Sequence, residues 1–135
     1  MALMNFGKEY SVGVQTIDDQ HKVLFGIIND LHEGMMTGQA RSLTGPLLKK
    51  LADYTRNHFT AEEAMMNAAA YPKLAAHKIL HRNLVKQVED YIARYDRGET
   101  TLNIQLLNFL RDWLTNHIQK EDKQYSPCMI EHGIH

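Results

Sequence analysis

The chain has 135 residues, 15 Lys and Arg against 16 Asp and Glu, one Cys and eight His. This is the length of one compact domain with its own core, and a near-neutral chain without a block of like charge lacks the footprint of a general nucleic-acid binder. A single Cys, Cys128, excludes an internal disulfide and suits a reducing compartment; MALMNFGKEY has no secretory pattern and no apolar run reaches the roughly 20 residues of a membrane span, so a cytoplasmic protein without membrane insertion is expected.

In chain order, residues 1–16 read as an irregular arm whose apolar members Phe6, Tyr10, Val12 and Val14 lie across the rest. A first helix is predicted over 17–37, where Leu24, Ile27, Ile28, Leu31 and Met35 recur at helical spacing, with Thr16 and Asp19 resembling a capping box and Gly38 a stop. A second, over 42–66, carries Leu47, Leu51 and Tyr54, with Pro46 expected in its first turn. A third, over 73–96, shows Leu74, Leu84 or Val85, Val88 and Ile92 on one face; a fourth, over 101–118, turns Leu106 or Leu107, Leu110, and Trp113 or Leu114 inward. Short connections between helices of similar length predict an all-α fold, an antiparallel up-down four-helix bundle with an N-terminal arm, in one domain over 1–135. Met35, Met36, Met65 and Met66 read as flexible core filling.

The histidines depart from this ordinary pattern. His58 and Glu62 are four apart, as are His77 and His81, and an i, i+4 step turns only about 40° around a helix, so both members of a pair point the same way. His21 precedes Leu24 by three residues and His117 follows Leu114 by three. Each helix therefore delivers an imidazole to the interior. One buried imidazole is satisfied by one carbonyl, but five with an inward Glu need a common partner, because each unsatisfied group costs roughly 1–3 kcal/mol. A metal supplies that partner. Asp122, five residues after His117, falls about 140° away on an ideal helix, so it joins the set only where the helix bulges or ends between them.

Taken together, Ile17-Asp18-Asp19-Gln20-His21, His58-xxx-Glu62, His77-xxx-His81 and His117-xxxx-Asp122 resemble the hemerythrin family, specifically its single-domain bacterial members, across nearly the whole chain. The resemblance implies two non-haem irons and reversible O2 binding for carriage, storage or delivery. It implies that His77, His81 and His117 hold one iron and His21 and His58 the other, with Glu62, Asp122 and an oxo or hydroxo group bridging both. Two six-coordinate irons so held leave one position open, on the iron with two His, as a reactive metal site requires. His32, His132 and His135 match no ligand and read as surface or helix-end residues.

An apolar wall around such a site disfavours oxidation by excluding water and proton donors. Leu114, Leu24 or Phe25, and then Trp113 and Phe59, are the candidate wall residues. The rival readings are oxygen or redox sensing and a di-iron oxidase or peroxidase. Carboxylate-rich di-iron bundles use Glu-x-x-His pairs, which this chain lacks, and the chain leaves almost nothing over for a signalling module. The expectation is a monomeric O2 binder that is not an enzyme; a receiving O2-consuming partner enzyme is compatible with it, and no feature of the chain identifies one.

Overall fold

Val14 begins the first helix without a side-chain cap of its own; the arm is tied to the opening turn instead. Asp18 accepts from the Ser11 hydroxyl at 2.6 Å and the Val12 N–H at 2.9 Å. In the computed structural model, which describes residues 2–39 and 41–135 (Arg41 by its backbone alone), α1 spans Gln15–Met36, α2 Arg41–Ala68, α3 Leu74–Asp96, α4 Ile104–His117 and α5 Lys123–Glu131. Thr16 thus lies inside the first turn of α1 and not at its cap, a correction to the expected capping box. The arm is correspondingly shorter than 1–16 and contains a 3-10 turn at Lys8–Tyr10; Met1, which belongs to the expected arm, lies outside the described residues.

The helix ends follow local rules. Gly38 has φ +68°, and the Gln39 N–H reaches the Gly34 carbonyl while the Gly38 N–H reaches that of Met35, the paired bonds of a glycine-terminated helix. α4 starts later than the expected 101, because the Asn103 side chain accepts from the Leu106 N–H at 2.9 Å and caps it there. Pro46 stands beyond the first turn of α2, where its missing N–H removes one helical bond; the helix runs through it.

The greatest departure is at the other end of α4. Instead of stopping at 118, the chain passes through a π-helical segment, Ile118–Asp122, and continues as α5. The Lys123 N–H donates to the Ile118 carbonyl, an i→i−5 bond that brings residues five apart nearly into line. This bulge turns Asp122 onto the face of His117, and it sets Tyr125 and Met129 of α5 fully inside.

α1 packs on α2 and α4, and α2 on α3. The connections at 37–40, 69–73 and 97–103 are short, and His21 near the start of α1, His58 late in α2, His77 early in α3 and His117 at the end of α4 converge, as alternating helix directions require. The arm covers one flank: Met4 and Asn29 exchange two hydrogen bonds at 2.8 Å, and Phe6 and Tyr10 meet the Phe25 ring with centroids 5.5 and 5.3 Å away. The methionines divide: Met66 is fully buried, Met35 and Met65 are partly buried, and Met36, against expectation, is 67% exposed at the end of α1. No helix among the described residues is long and apolar enough to cross a membrane.

Candidate metal centre

Seven polar side chains meet in the interior: His21, His58, Glu62, His77, His81, His117 and Asp122 are all buried. They form two groups that share a member. Glu62, His77, His81, His117 and Asp122 place one ligand atom each within 4.8 Å of the others, and His21, His58 and Glu62 do the same. Glu62 divides its oxygens between them. Oε1 lies 3.3 Å from His77 Nε2 and 3.0 Å from His81 Nε2, whereas Oε2 lies 3.4 Å from His58 Nε2 and 3.7 Å from His21 Nε2. Asp122 spans the same gap, with Oδ1 3.0 Å from both His77 and His117 Nε2 and Oδ2 3.3 Å from His21 Nε2.

These separations fit ligands that share an ion. His117 Nε2 stands 3.1 Å from His77 Nε2 and 3.3 Å from His81 Nε2; donors at about 2.0–2.1 Å from one cation, set at right angles, are about 3 Å apart. Despite the short distances, Glu62 Oε1, Asp122 Oδ1 and both ring nitrogens of His21 make no hydrogen bond. Close but misaligned and buried, Glu62 Oε1, Asp122 Oδ1 and His21 Nε2 face a common centre and not one another, and a cation there would satisfy them together; His21 Nδ1 lies on the outer edge of its ring.

The outer edges of the rings fix the tautomers. His58 Nδ1 lies 2.6 Å from Gln20 Oε1 and His81 Nδ1 2.8 Å from Glu63 Oε2; both oxygens only accept, so each Nδ1 carries the proton and each Nε2 turns a free lone pair inward. Phe59 stacks on His81 at 3.6 Å and 2°, and Trp113 on His117 at 4.4 Å and 12°. Tyr125 donates to Glu62 Oε2 at 2.8 Å. Burial and the charges of Asp122 and Glu62 push its phenol well above the ordinary range, so it remains a donor.

Without a cation the carboxylates draw protons onto His21 and His77. Burial opposes charge on His21 and His77, but the close carboxylates of Asp122 and Glu62 outweigh it and raise both to about 9. Burial likewise opposes charge on Glu62, yet the surrounding His21, His58, His77 and His81 hold it well below the usual carboxylate range. For Asp122, burial and repulsion by Glu62 are overcome by His117 and His21, and its pKa is lowered.

The sequence matches a family model described as the hemerythrin HHE cation binding domain over residues 12–129. The chain belongs to the hemerythrin family. Among its hemerythrin relatives, the bacteriohemerythrin of Methylococcus capsulatus is 42% identical over 96% of this chain and 98% of that protein. Myohemerythrin-1 of Phascolopsis gouldii is 32% identical over 87% of each chain. The crystal structure of a wild-type hemerythrin superposes with a TM-score of 0.90 at 42% identity, covering 95% of this chain and 98% of that one. The all-α four-helix bundle is therefore a hemerythrin fold, and its buried His, Glu and Asp cluster fits a metal-binding site.

One turn from the ligands of this hemerythrin fold lies a small apolar cavity of about 20 Å³; on this scale one water needs about 10–15 Å³. Leu24, Phe59, Trp113 and Leu114 line it, with Thr55 the one polar side chain among its walls. Phe25 does not. It sits about 100° around α1 from Leu24 and packs under the arm against Phe6 and Tyr10, so the choice left open between Leu24 and Phe25 falls to Leu24. Three neighbours of the cluster are given no role by the sequence reading: Gln20, which stands in its first motif, Glu63 and Tyr125. Gln20 and Glu63 adjoin the inward residues His21 and Glu62, which is the one signal that marks them; Tyr125 depends on the bulge and has none.

Proposed function

We propose that this protein binds O2 reversibly at a non-haem di-iron centre and acts as a carrier, store or deliverer of O2 and not as an enzyme. His77, His81 and His117 would hold one iron, and His21 and His58 the other, with Glu62, Asp122 and an oxo or hydroxo group as bridges. Two ferrous ions in that setting supply the pair of electrons that O2 binding borrows and release returns. The observation that carries the reading is the sharing of both carboxylates between two imidazole groups, with an apolar cavity one helical turn away.

The chain's own residues account for reversibility. Glu62 and Asp122 bring two negative charges into an interior that must hold two cations, which offsets the cost of burying them. Gln20 and Glu63 orient His58 and His81 from outside, and Phe59 and Trp113 clamp the rings of His81 and His117. Leu24, Leu114, Phe59 and Trp113 make the cavity wall apolar, with Thr55 its one polar side chain, which disfavours water there and the proton transfer that would release O2 as peroxide. Five neutral imidazoles against two carboxylates make a donor set less suited to high-valent iron than a carboxylate-rich one, which favours binding over oxygen activation.

The reading is tested by loading the protein with Fe(II) under anaerobic conditions, admitting O2 and following the visible spectrum. A charge-transfer absorption that rises with O2 and disappears when O2 is swept out is expected. Irreversible oxidation in a single step, or turnover of an added reductant, contradicts it.

A further inference from the structure

The two halves of the centre differ in what lies behind their histidines. His81 Nδ1 donates to a carboxylate, Glu63 Oε2, at 2.8 Å. His58 Nδ1 donates to a neutral amide, Gln20 Oε1, at 2.6 Å. His21 Nδ1, fully buried, donates to nothing among the described residues. A charged acceptor behind a ligating imidazole raises its basicity and its donation to a metal; a neutral acceptor does so less, and none does so least. Glu63 is only 24% exposed, and no Lys or Arg among the described residues lies within ion-pair distance of it, so its charge is neither fully screened nor cancelled.

Tyr125 acts in the same direction. Its hydroxyl donates to Glu62 Oε2, the oxygen facing His58 and His21, and not to Oε1, which faces His77 and His81. That bond draws electron density from the carboxylate on the side already backed by the weaker acceptors.

We infer that Glu63 is a positioning residue which, acting through His81, widens the difference between the two metal positions beyond their unequal number of imidazoles and favours the higher-valent ion where His77, His81 and His117 converge. Gln20 is its neutral counterpart at the other position. The inference rests on the paired-metal reading of the centre but needs no O2 chemistry.

Glu63→Gln keeps the hydrogen bond and removes the charge; Gln20→Glu adds a charge behind His58. The midpoint potential of the iron-loaded protein is measured by spectroelectrochemistry for both variants and the parent, with Zn(II) affinity of each as a readout free of O2 and redox chemistry. Glu63→Gln is expected to weaken retention of Fe(III) relative to Fe(II) at least tenfold, a rise of about 59 mV for a one-electron couple, and to weaken the tighter Zn(II) step about 10–100-fold. Gln20→Glu should move the potential down and leave that step unchanged. Potentials that move the same way in both variants, or do not move, overturn the inference, because a merely structural role loosens the site in either case. Where Glu63→Gln fails to load iron, its Zn(II) affinity and the sign of the Gln20→Glu shift decide. Should the parent bind Zn(II) in this pattern yet show no reversible O2 absorption, the O2 reading fails and the role of Glu63 stands.

Discussion

Two adjacent residues of α1 show how far a single side chain's position decides its role. Leu24 faces the cavity beside the metal centre, whereas Phe25 anchors the arm. Replacing Leu114, another wall residue, by Asn brings a hydrogen-bonding group and water to the cavity, and the O2-dependent absorption should decay to the oxidised form several-fold faster, as read from its time course in air. Phe25→Leu should leave that decay unchanged while lowering the stability of the fold by about 1 kcal/mol, measured by urea denaturation. Equal decay rates in the two variants contradict the assignment of the wall. At this scale much of the centre was legible in the sequence, because His21, His58, Glu62, His77, His81 and His117 occupy helical positions continuous with apolar faces, where an imidazole has no other reason to recur. Phe25 was not separable from Leu24, since two neighbours straddle one face and only the fold of the arm decides between them. Gln20, though part of the first motif, and Glu63 were given no role because polar residues beside an inward residue read as solvent-facing.

Among the elements, the π-helical segment governs the completeness of the centre. Helical spacing accounts for the inward position of the five histidines and Glu62, but Asp122 comes to the face of His117 only through the extra residue accommodated over Ile118–Asp122. A backbone irregularity of this kind leaves no periodic trace, so spacing alone left a bulge and a helix end equally open, and the continuation into α5 was not foreseen. Lys120 is exposed within the segment, and inserting one Ala after it should place Asp122 six residues from His117, one more than the bulge accommodates, rotating Asp122 and Tyr125 away from Glu62. The expected result is retained helical circular dichroism with a fall from two bound metal ions per chain to one or fewer, measured by elemental analysis after dialysis. Two ions still bound would show that Asp122 is dispensable. The helix ends are the opposite case: Gly38, set by the requirement for a left-handed residue after α1, is readable directly from the chain.

For the molecule as a whole, the metal-free centre makes stability depend on pH from both sides. His21 and His77, raised from 6.5 to about 9, contribute stability that is full below pH 6.5 and is lost as pH rises through about 9. Glu62 and Asp122, depressed below their ordinary values, contribute stability that is present above the unfolded carboxylate range near 4 and is lost on acidification. A cation replaces those imidazole protons, so metal uptake releases protons and tightens with rising pH. The loaded protein should therefore lose far less stability between pH 6.5 and 9 than the metal-free one, as thermal melts of both forms would record; parallel losses would mean that the imidazoles are not the ligands. The bundle, with its antiparallel order and single core, follows from helical periodicity and short connections, while the arm's exact course depends on tertiary contacts such as those of Asn29 with Met4. The central claim is most directly tested by gas uptake: the Fe(II)-loaded protein is equilibrated with a known quantity of O2 and then evacuated. One O2 taken up for every two irons and recovered intact on evacuation is the predicted result; uptake that is not recovered, or a ratio that requires the irons to act singly, would contradict it.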